Sequence, residues 1–286
     1  MPIVQGVGQG PFTYNKQYMF RIICKYVMKI AKSCVTRSPD WACQTLQYID
    51  ATAGRGREDT YGDGSALIFL DIAKQLDLTY QAHFIERDLP TYNQLLWNIP
   101  IEDHHTIWNG AYSDILPHLS IPSKSYGLLY VDPNGTSDEQ LNLESLGAFA
   151  RKHPYIDILL RLSANNMKRD QYSNKRICEV ADAIGKFNWS ITEPAPNDKN
   201  QWMFLLGTGS HSPLGEYNKI GLHPIHEEHA QQVLFSCNFS TKERKTINQL
   251  AHIDPFYTLV IKKPITRMEH KSFLSAFKET RVRITT

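Results

Sequence analysis

The stretch Tyr48-Ile49-Asp50-Ala51-Thr52-Ala53-Gly54-Arg55-Gly56 decides the fold of this chain. Its first residues have the apolar character of a buried strand, and two glycines then stand two positions apart. Because Gly54 and Gly56 lack a Cβ atom, they can adopt positive φ and let a ligand lie close to the backbone. In an open α/β sheet, a ligand binds just beyond the carboxyl end of such a strand. The alternative is an ordinary strand-to-helix turn without a ligand, since short glycine motifs are common.

The composition is that of a globular protein. The chain has 286 residues, of which 42% are hydrophobic and 21% charged, and this length suits one large α/β domain with an extension. The formal net charge of +2 predicts no strong nonspecific attraction to nucleic acid. The five cysteines lack CxxC spacing, which indicates reduced thiols. Without a signal-peptide pattern or an apolar run of about 18 residues, we expect a cytoplasmic protein that does not enter a membrane.

Strand patterns alternate with helical patterns over most of the chain. The predicted strands are Thr45–Asp50, Gln81–Glu86, Thr106–Asn109, Tyr126–Asp132, Ile156–Leu162, Phe187–Thr192 and Gln201–Leu206. Helical patterns near Ser65–Leu76, Pro90–Trp97, Ser113–Leu119, Leu141–Lys152 and Asn174–Gly185 separate the first six, and another helix over Asn15–Cys34 precedes them. Such crossovers imply parallel strands, whereas the short connection before the last strand suits an antiparallel hairpin.

This order predicts an α/β, Rossmann-like fold with a seven-stranded, mostly parallel sheet whose last strand is antiparallel. That is the layout of class I S-adenosylmethionine-dependent methyltransferases. Residues 1–210 would form the cofactor-binding domain with its N-terminal helix, and residues 211–286 a C-terminal α/β extension.

Candidate ligand-binding residues follow four of the predicted strands. After the first, Ala53-Gly54-Arg55-Gly56 would pass under the amino-acid part of a nucleoside cofactor. After the second, Glu86 can accept two hydrogen bonds from ribose hydroxyls. After the third, the small residues Gly110 and Ala111 leave room for an adenine ring. After the fourth, Asp132-Pro133-Asn134-Gly135 directs polar groups toward a methyl donor.

Simpler explanations exist for each of these features. Glu86 can be an exposed strand end, and the loop at 132–135 also has the sequence of a plain turn. A nicotinamide site fits less well, because Asp59 stands where the GxGxxG motif requires a third small residue. His226 and His229 are spaced for one helical face but lack the HExxH pattern, so we expect a polar helix start and no metal site.

The motifs resemble those of the three-Cys-motif partner protein family, a bacterial family similar to class I methyltransferases. The resemblance rests on the stretch at 48–56, on Gly64-Ser65-Ala66-Leu67, on Phe84-Ile85-Glu86 and on Val131-Asp132-Pro133-Asn134-Gly135. It covers about residues 15–210. It implies binding of S-adenosylmethionine through the residues that match the family's motif, which are Asp50, Ala53, Gly54, Gly56, Glu86, Asp132, Pro133 and Gly135.

The sequence leaves the methyl acceptor open. Enzymes that methylate base amines typically carry an aromatic residue after Asp-Pro-Pro, whereas this chain has Asn134-Gly135. Arg161 and the polar residues after the fifth strand could contact phosphates, although a solvated loop is the more common explanation. Our first hypothesis is a methyltransferase acting on nucleic acid, in which Asp132 orients the acceptor and Asn134 assists. The second is a non-catalytic cofactor-binding protein whose extension at 211–286 contacts a partner protein.

Overall fold

The computed structural model describes residues 13–38, 40, 42–58, 62–100, 102–133, 135, 137, 139–163, 177–193, 202–210, 214–227, 230, 233 and 245. Ten strands lie within these residues: β1 Leu46–Asp50, β2 Arg57–Glu58, β3 Gly62–Asp63, β4 Tyr80–Glu86, β5 His105–Asn109, β6 Gly127–Val131, β7 Ile156–Ser163, β8 Asn188–Thr192, β9 Trp202–Thr208 and β10 Leu222–Pro224. The short strands β2 and β3 pair with each other, and the other eight form one sheet.

The strand order of the large sheet is β10-β8-β9-β7-β6-β1-β4-β5. Neighbours from β7 to β5 in this order pair in parallel, whereas β9 is antiparallel to both β7 and β8. The predicted α/β fold with an antiparallel seventh strand is therefore confirmed. Because β1 lies between β4 and β6, crossovers leave it in opposite directions, and a crevice opens at the carboxyl ends of these three strands.

The sheet has one strand more than the sequence predicted. Strand β10 pairs antiparallel with β8 at the edge of the sheet, where Leu222 lies opposite Thr192. Strand β10 has only three residues, which are too few to show the two-residue alternation by which a strand is recognised in a sequence. The described part of the predicted extension thus adds to the main sheet. The rest of 211–286, apart from residues 230, 233 and 245, lies outside the described residues.

Six α-helices with described bounds accompany the sheet: α1 Thr13–Arg37, α2 Ser65–Gln75, α3 Leu89–Asn98, α4 Tyr112–Ile115, α5 Leu143–Lys152 and α6 Ile177–Ile184. The 3₁₀ turns Leu116–His118 and Leu214–Ile220 are also described. None of the described helices is both long and apolar enough to cross a membrane.

Two hydrophobic cores cover the two faces of the sheet. Successive residues of a strand point to opposite faces, so Tyr48 joins the core under α1 and α2 while Ile49 joins the core under α5 and α6. Both residues are fully buried, as is usual for the centre of a parallel sheet. The ring of Tyr48 stacks on that of Phe69 with 3.7 Å between centroids, which fixes α2 against β1.

Candidate functional site

The turn after β1 has the backbone conformation that its glycines predict. Gly54 has φ of +63° and Gly56 of +80°, a region that other residues rarely adopt. A Cβ atom added at Gly54 would find no heavy atom within 4 Å, so the space above this residue is open. Gly64, just before α2, donates its N–H to the carbonyl of Gly56 at 2.6 Å and closes the turn. The result is an open concave backbone at the centre of the crevice.

Asp50 supports this turn from inside the protein. Its side chain is fully buried and accepts hydrogen bonds from the N–H of Thr52 at 3.2 Å and the hydroxyl of Tyr48 at 3.3 Å. Burial raises the pKa of Asp50 to about 7, although hydrogen bonds from Ser65 and Thr52 act in the opposite direction. The structure therefore places this predicted site residue beneath the backbone of the turn.

Glu86 connects the ends of β4 and β1. One carboxylate oxygen accepts the N–H of Gly54 at 3.0 Å, and the other accepts the N–H of Asp88 at 2.8 Å. Burial raises the pKa of Glu86, and these two backbone donors partly oppose that effect. The backbone N–H of Arg87 also donates to Glu86, and since a carboxylate can accept about four hydrogen bonds in all, the group can still accept about one more. Two of the predicted site residues, 32 positions apart in sequence, are thus in direct contact.

The small residues predicted near an adenine ring also lie at this edge of the sheet. Gly110 donates its N–H to the carbonyl of Glu86 at 3.1 Å, and the side-chain amide of Asn109 donates to the same carbonyl at 2.9 Å. Ala111 precedes α4, and Ala53 is buried and donates to the carbonyl of Ile85 at 2.9 Å. The bonds of Gly110 and Asn109 fasten the end of β5 to the end of β4, and that of Ala53 fastens the turn after β1 to β4.

Asp132, directly after β6, lies between two cations. Its carboxylate is 2.8 Å from the amine of Lys16 on α1 and 3.1 Å from the guanidinium of Arg161 on β7. Burial alone would raise the pKa of Asp132, but the two cations hold it below its ordinary value. The backbone N–H of Asp132 donates to the hydroxyl oxygen of Thr52 at 2.7 Å, which ties this residue to the turn after β1.

Sequence reasoning did not assign Lys16 to the site. Lys16 lies four residues before Phe20 and eight before Cys24, so it shares their buried side of α1. A lysine on the apolar face of a helix was the signal that could have found it. Arg161 was considered as a phosphate contact, with a solvated loop as the more common explanation, and in the structure it pairs with Asp132. No pattern in the sequence linked these two cations to one carboxylate.

Described residues of the segment between β6 and α5 contact elements on the far side of β1. Asn134, the second predicted catalytic residue, belongs to this segment but lies outside the described residues. His229, one of the two histidines considered above as metal ligands, also lies outside them. Farther along the loop, Glu139 pairs with Arg87 after β4 at 2.7 Å. The hydroxyl of Tyr112 in α4 accepts the N–H of Asn142 at 2.7 Å. The loop is therefore held at two points on the far side of β1.

No protein-family model matches this chain, and no curated protein is significantly similar to it in sequence. Among solved structures, protein LPL1258 of Legionella pneumophila, from family DUF519, superposes with a TM-score of 0.50 at 13% identity over 70% of this chain and 88% of that one. TYW2 of M. jannaschii, solved in complex with AdoMet, has a TM-score of 0.40 at 11% identity over 70% of this chain and 76% of that one. Fibrillarin of Methanococcus jannaschii has a TM-score of 0.40 at 15% identity over 58% of this chain and 67% of that one. At such identities the likeness concerns the fold, and the chemistry has to be argued from the residues of the site.

Proposed function

We propose that this chain binds S-adenosylmethionine at the carboxyl ends of β1, β4, β5 and β6 and transfers its methyl group to a nitrogen or oxygen atom of a nucleic acid. The observation that carries the proposal is the contact between Glu86 and the N–H of Gly54. It joins a carboxylate suited to ribose hydroxyls with a glycine turn open to a ligand, in a sheet that has the methyltransferase strand order.

Each part of the cofactor would meet a different strand end. The open space above Gly54 would take the amino-acid part, and the remaining acceptor capacity of Glu86 would take a ribose hydroxyl. Gly110 and Ala111 would line the adenine ring, because small residues leave room for a flat base. Asp50 and Ala53, both buried, would act by shaping the turn. Gly56 would do the same through its positive φ.

The acceptor would be held at the end of β6. A sulfonium already activates the methyl group, so alignment and dehydration of the acceptor dominate the rate. Asp132 would orient the acceptor, with Asn134 assisting. Because the pKa of Asp132 is low, its carboxylate stays ionised at neutral pH and can accept a hydrogen bond from an acceptor amine that displaces Lys16.

The cations around Asp132 favour an acceptor that carries phosphate. Lys16 and Arg161 bring two positive charges to one negative carboxylate at the edge of the sheet where the acceptor would enter. The Nε of Arg161 is buried and has no hydrogen-bond partner among the described residues. This atom is too buried for a ligand to reach, but a phosphate would offset the excess charge of the two partly exposed side chains, since Arg and Lys are the usual phosphate contacts of nucleic-acid-binding proteins.

The proposal also covers the family, the location and the partner of this protein. We propose kinship with the three-Cys-motif partner proteins on the motifs at 48–56, 84–86 and 131–135. We further propose a cytoplasmic location and a protein partner for the extension at 211–286.

A second candidate is a protein that binds the cofactor without catalysis. Both oxygens of Asp132 already accept hydrogen bonds from cations, and the loop lacks the aromatic residue that stacks on a target base. A carboxylate whose two oxygens are both bonded to cations of the protein itself suits a structural role. On this alternative, the cofactor would stabilise the surface that a partner protein contacts.

Two measurements on the purified chain test both candidates. Calorimetry with S-adenosylmethionine measures binding, and transfer of labelled methyl to total RNA and DNA measures catalysis, with Gly54→Val as the control variant. Binding with transfer supports the enzyme, and binding without transfer to either nucleic acid supports the second candidate. A folded protein that binds neither the donor nor its demethylated product contradicts both.

A further inference from the structure

Three side chains with metal-ligand chemistry meet at the edge of the sheet opposite the crevice. Glu102, His104 and His105 each offer one ligand atom, and these atoms lie within 4.8 Å of one another. We call them the β5 cluster, because His105 is the first residue of that strand. Tyr80, the first residue of β4, places its hydroxyl beside the cluster. Neither the cofactor nor the acceptor of the proposed function would reach this edge.

The Nε2 atom of His104 has two oxygen neighbours, which is one more than a single ring nitrogen can hydrogen-bond well. This atom is 2.6 Å from the hydroxyl oxygen of Tyr80 and 2.7 Å from a carboxylate oxygen of Glu102. A ring nitrogen presents either one N–H or one lone pair, so it cannot form good hydrogen bonds with both oxygens. A cation placed between the three atoms would accept a lone pair from each of them.

His105 is oriented as a metal ligand would be. Its Nε2 is hydrogen-bonded to the carbonyl of Pro100 and therefore carries the proton, since a carbonyl oxygen only accepts. Its Nδ1 then holds a lone pair, and this atom is buried without a hydrogen-bond partner among the described residues. Metal-bound histidines usually donate their other N–H to a carbonyl or carboxylate in this way.

We propose that the β5 cluster binds a divalent transition metal of the zinc class through His104, His105 and Glu102, with the Tyr80 hydroxyl or a water molecule in the fourth position. Two imidazoles favour zinc, cobalt or nickel over magnesium or calcium, which prefer oxygen ligands. Bonds of about 2.0–2.2 Å place tetrahedral ligands roughly 3.3 Å apart. Side-chain rotations that move the ligand atoms by about 1 Å would bring them to that spacing.

The bound metal would fasten the start of an edge strand. The cluster joins the segment that follows α3 to the first residue of β5, and through Tyr80 it reaches the first residue of β4. Among the strands that the structure describes, β5 pairs with β4 alone, so no described strand supports its start on the other side. We therefore assign the metal a stabilising role that does not depend on methyl transfer.

Titration of the chelator-treated full chain with Zn²⁺ and Co²⁺ tests the site. We expect one ion per chain with a Kd of about micromolar or lower, a visible Co²⁺ spectrum typical of four-coordinate nitrogen and oxygen ligation, and a rise in melting temperature. His104→Ala and Glu102→Gln should each weaken binding at least tenfold. His118→Ala removes an exposed histidine elsewhere and is the matched control.

The outcomes separate the site from other metal-binding groups of the chain. His104 and Glu102 are substantially exposed, at 41% and 46%, so their variants should keep the native circular dichroism spectrum. A wild-type chain that takes up no zinc at about 10 μM overturns the proposal. So does equal affinity in wild type and His104→Ala, since the ion would then lie elsewhere. Because no methyl transfer is measured, failure here leaves the proposed function untouched.

Discussion

The carboxylate of Glu86 accepts a hydrogen bond from the backbone N–H of Gly54 at 3.0 Å, across the boundary between β4 and β1. This bond holds the open face of the glycine turn at a fixed distance from the carboxylate. Any molecule that hydrogen-bonds to the remaining lone pair of Glu86 therefore lies beside the open face of Gly54. The two residues act as one binding unit.

The first prediction concerns Glu86 itself. Replacement by Ala should weaken binding of S-adenosylmethionine by roughly 1–3 kcal/mol, the usual loss for charge-assisted hydrogen bonds. Calorimetry measures this loss. Glu144→Ala, which removes an exposed carboxylate of α5, should leave the affinity unchanged. If Glu86→Ala lowers the melting temperature strongly and the affinity stays at the wild-type value, Glu86 is a structural residue.

The second prediction compares two glycines of the same conformation. Gly54 and Gly62 have φ of +63° and +80°, and an added Cβ atom would find no heavy atom within 4 Å at either. Val at either position should cost at least ~1–2 kcal/mol of stability, because positive φ strains other residues. Only Gly54→Val should abolish donor binding, since its side chain would fill the crevice. Equal donor affinities of the two folded variants would remove Gly54 from the site.

The third prediction concerns the stability that Asp132 provides. Asp132→Asn leaves Lys16 and Arg161 without the charge of a mostly buried partner, whose side chain is 14% exposed, and this should cost up to about 3–5 kcal/mol. Asp71→Asn removes the partner of Arg21 at the surface, where the Asp71 side chain is 43% exposed, and should cost below about 1 kcal/mol. Urea unfolding of both variants gives the comparison. Similar small losses in the two variants would show that the pairs around Asp132 add little stability.

The fourth prediction separates catalysis from binding. If Asp132 orients the acceptor, Asp132→Asn should keep donor affinity within a few-fold and reduce methyl transfer at least about 100-fold, because the contact forms mainly in the transition state. Lys16→Met tests the neighbouring cation and should raise KM for nucleic acid, since Lys16 would contact phosphate. Transfer by Asp132→Asn at the wild-type rate contradicts the catalytic role of this residue.

The fifth prediction follows from the raised pKa of Asp50. Its folded-state pKa is about 7 and its ordinary value 3.8, so the folded protein binds the proton more tightly than the unfolded chain. The stabilisation is complete below pH about 4 and is lost as the pH rises toward 7, by up to about 1.4 kcal/mol per pH unit. The measurement is the difference in unfolding free energy between wild type and Asp50→Asn at several pH values.

The comparison with Asp50→Asn is needed because two histidines change the pH dependence of the unfolding free energy in the opposite direction. Burial lowers the pKa of His83 and His153 to about 4, so the unfolded chain binds protons more tightly at these positions. Their contribution to stability rises with pH between about 4 and 6.5 and would mask that of Asp50 in the wild type alone. A wild-type-minus-variant difference that does not change with pH would contradict the raised pKa of Asp50.

The sequence predicted those features that depend on local pattern. The central strands are buried on both faces, so their apolar runs stood out, and Glu86 and Gly54 were placed together because both follow parallel strands. Features that depend on distant contacts were missed. Lys16 and Asp132 are 116 residues apart, and β10 is only three residues long, so neither leaves a periodic signal.

The contact between Lys16 and Asp132 also bears on the order in which the chain folds. An ionised carboxylate without partners costs several kcal/mol to bury, so Asp132 gains a favourable environment only after α1 docks beside β6 and β7 forms next to it. Closing a loop of 116 residues is slow compared with pairing neighbouring strands. We expect amide protons around the end of β6 to become protected from exchange late in refolding, together with those of the first turns of α1.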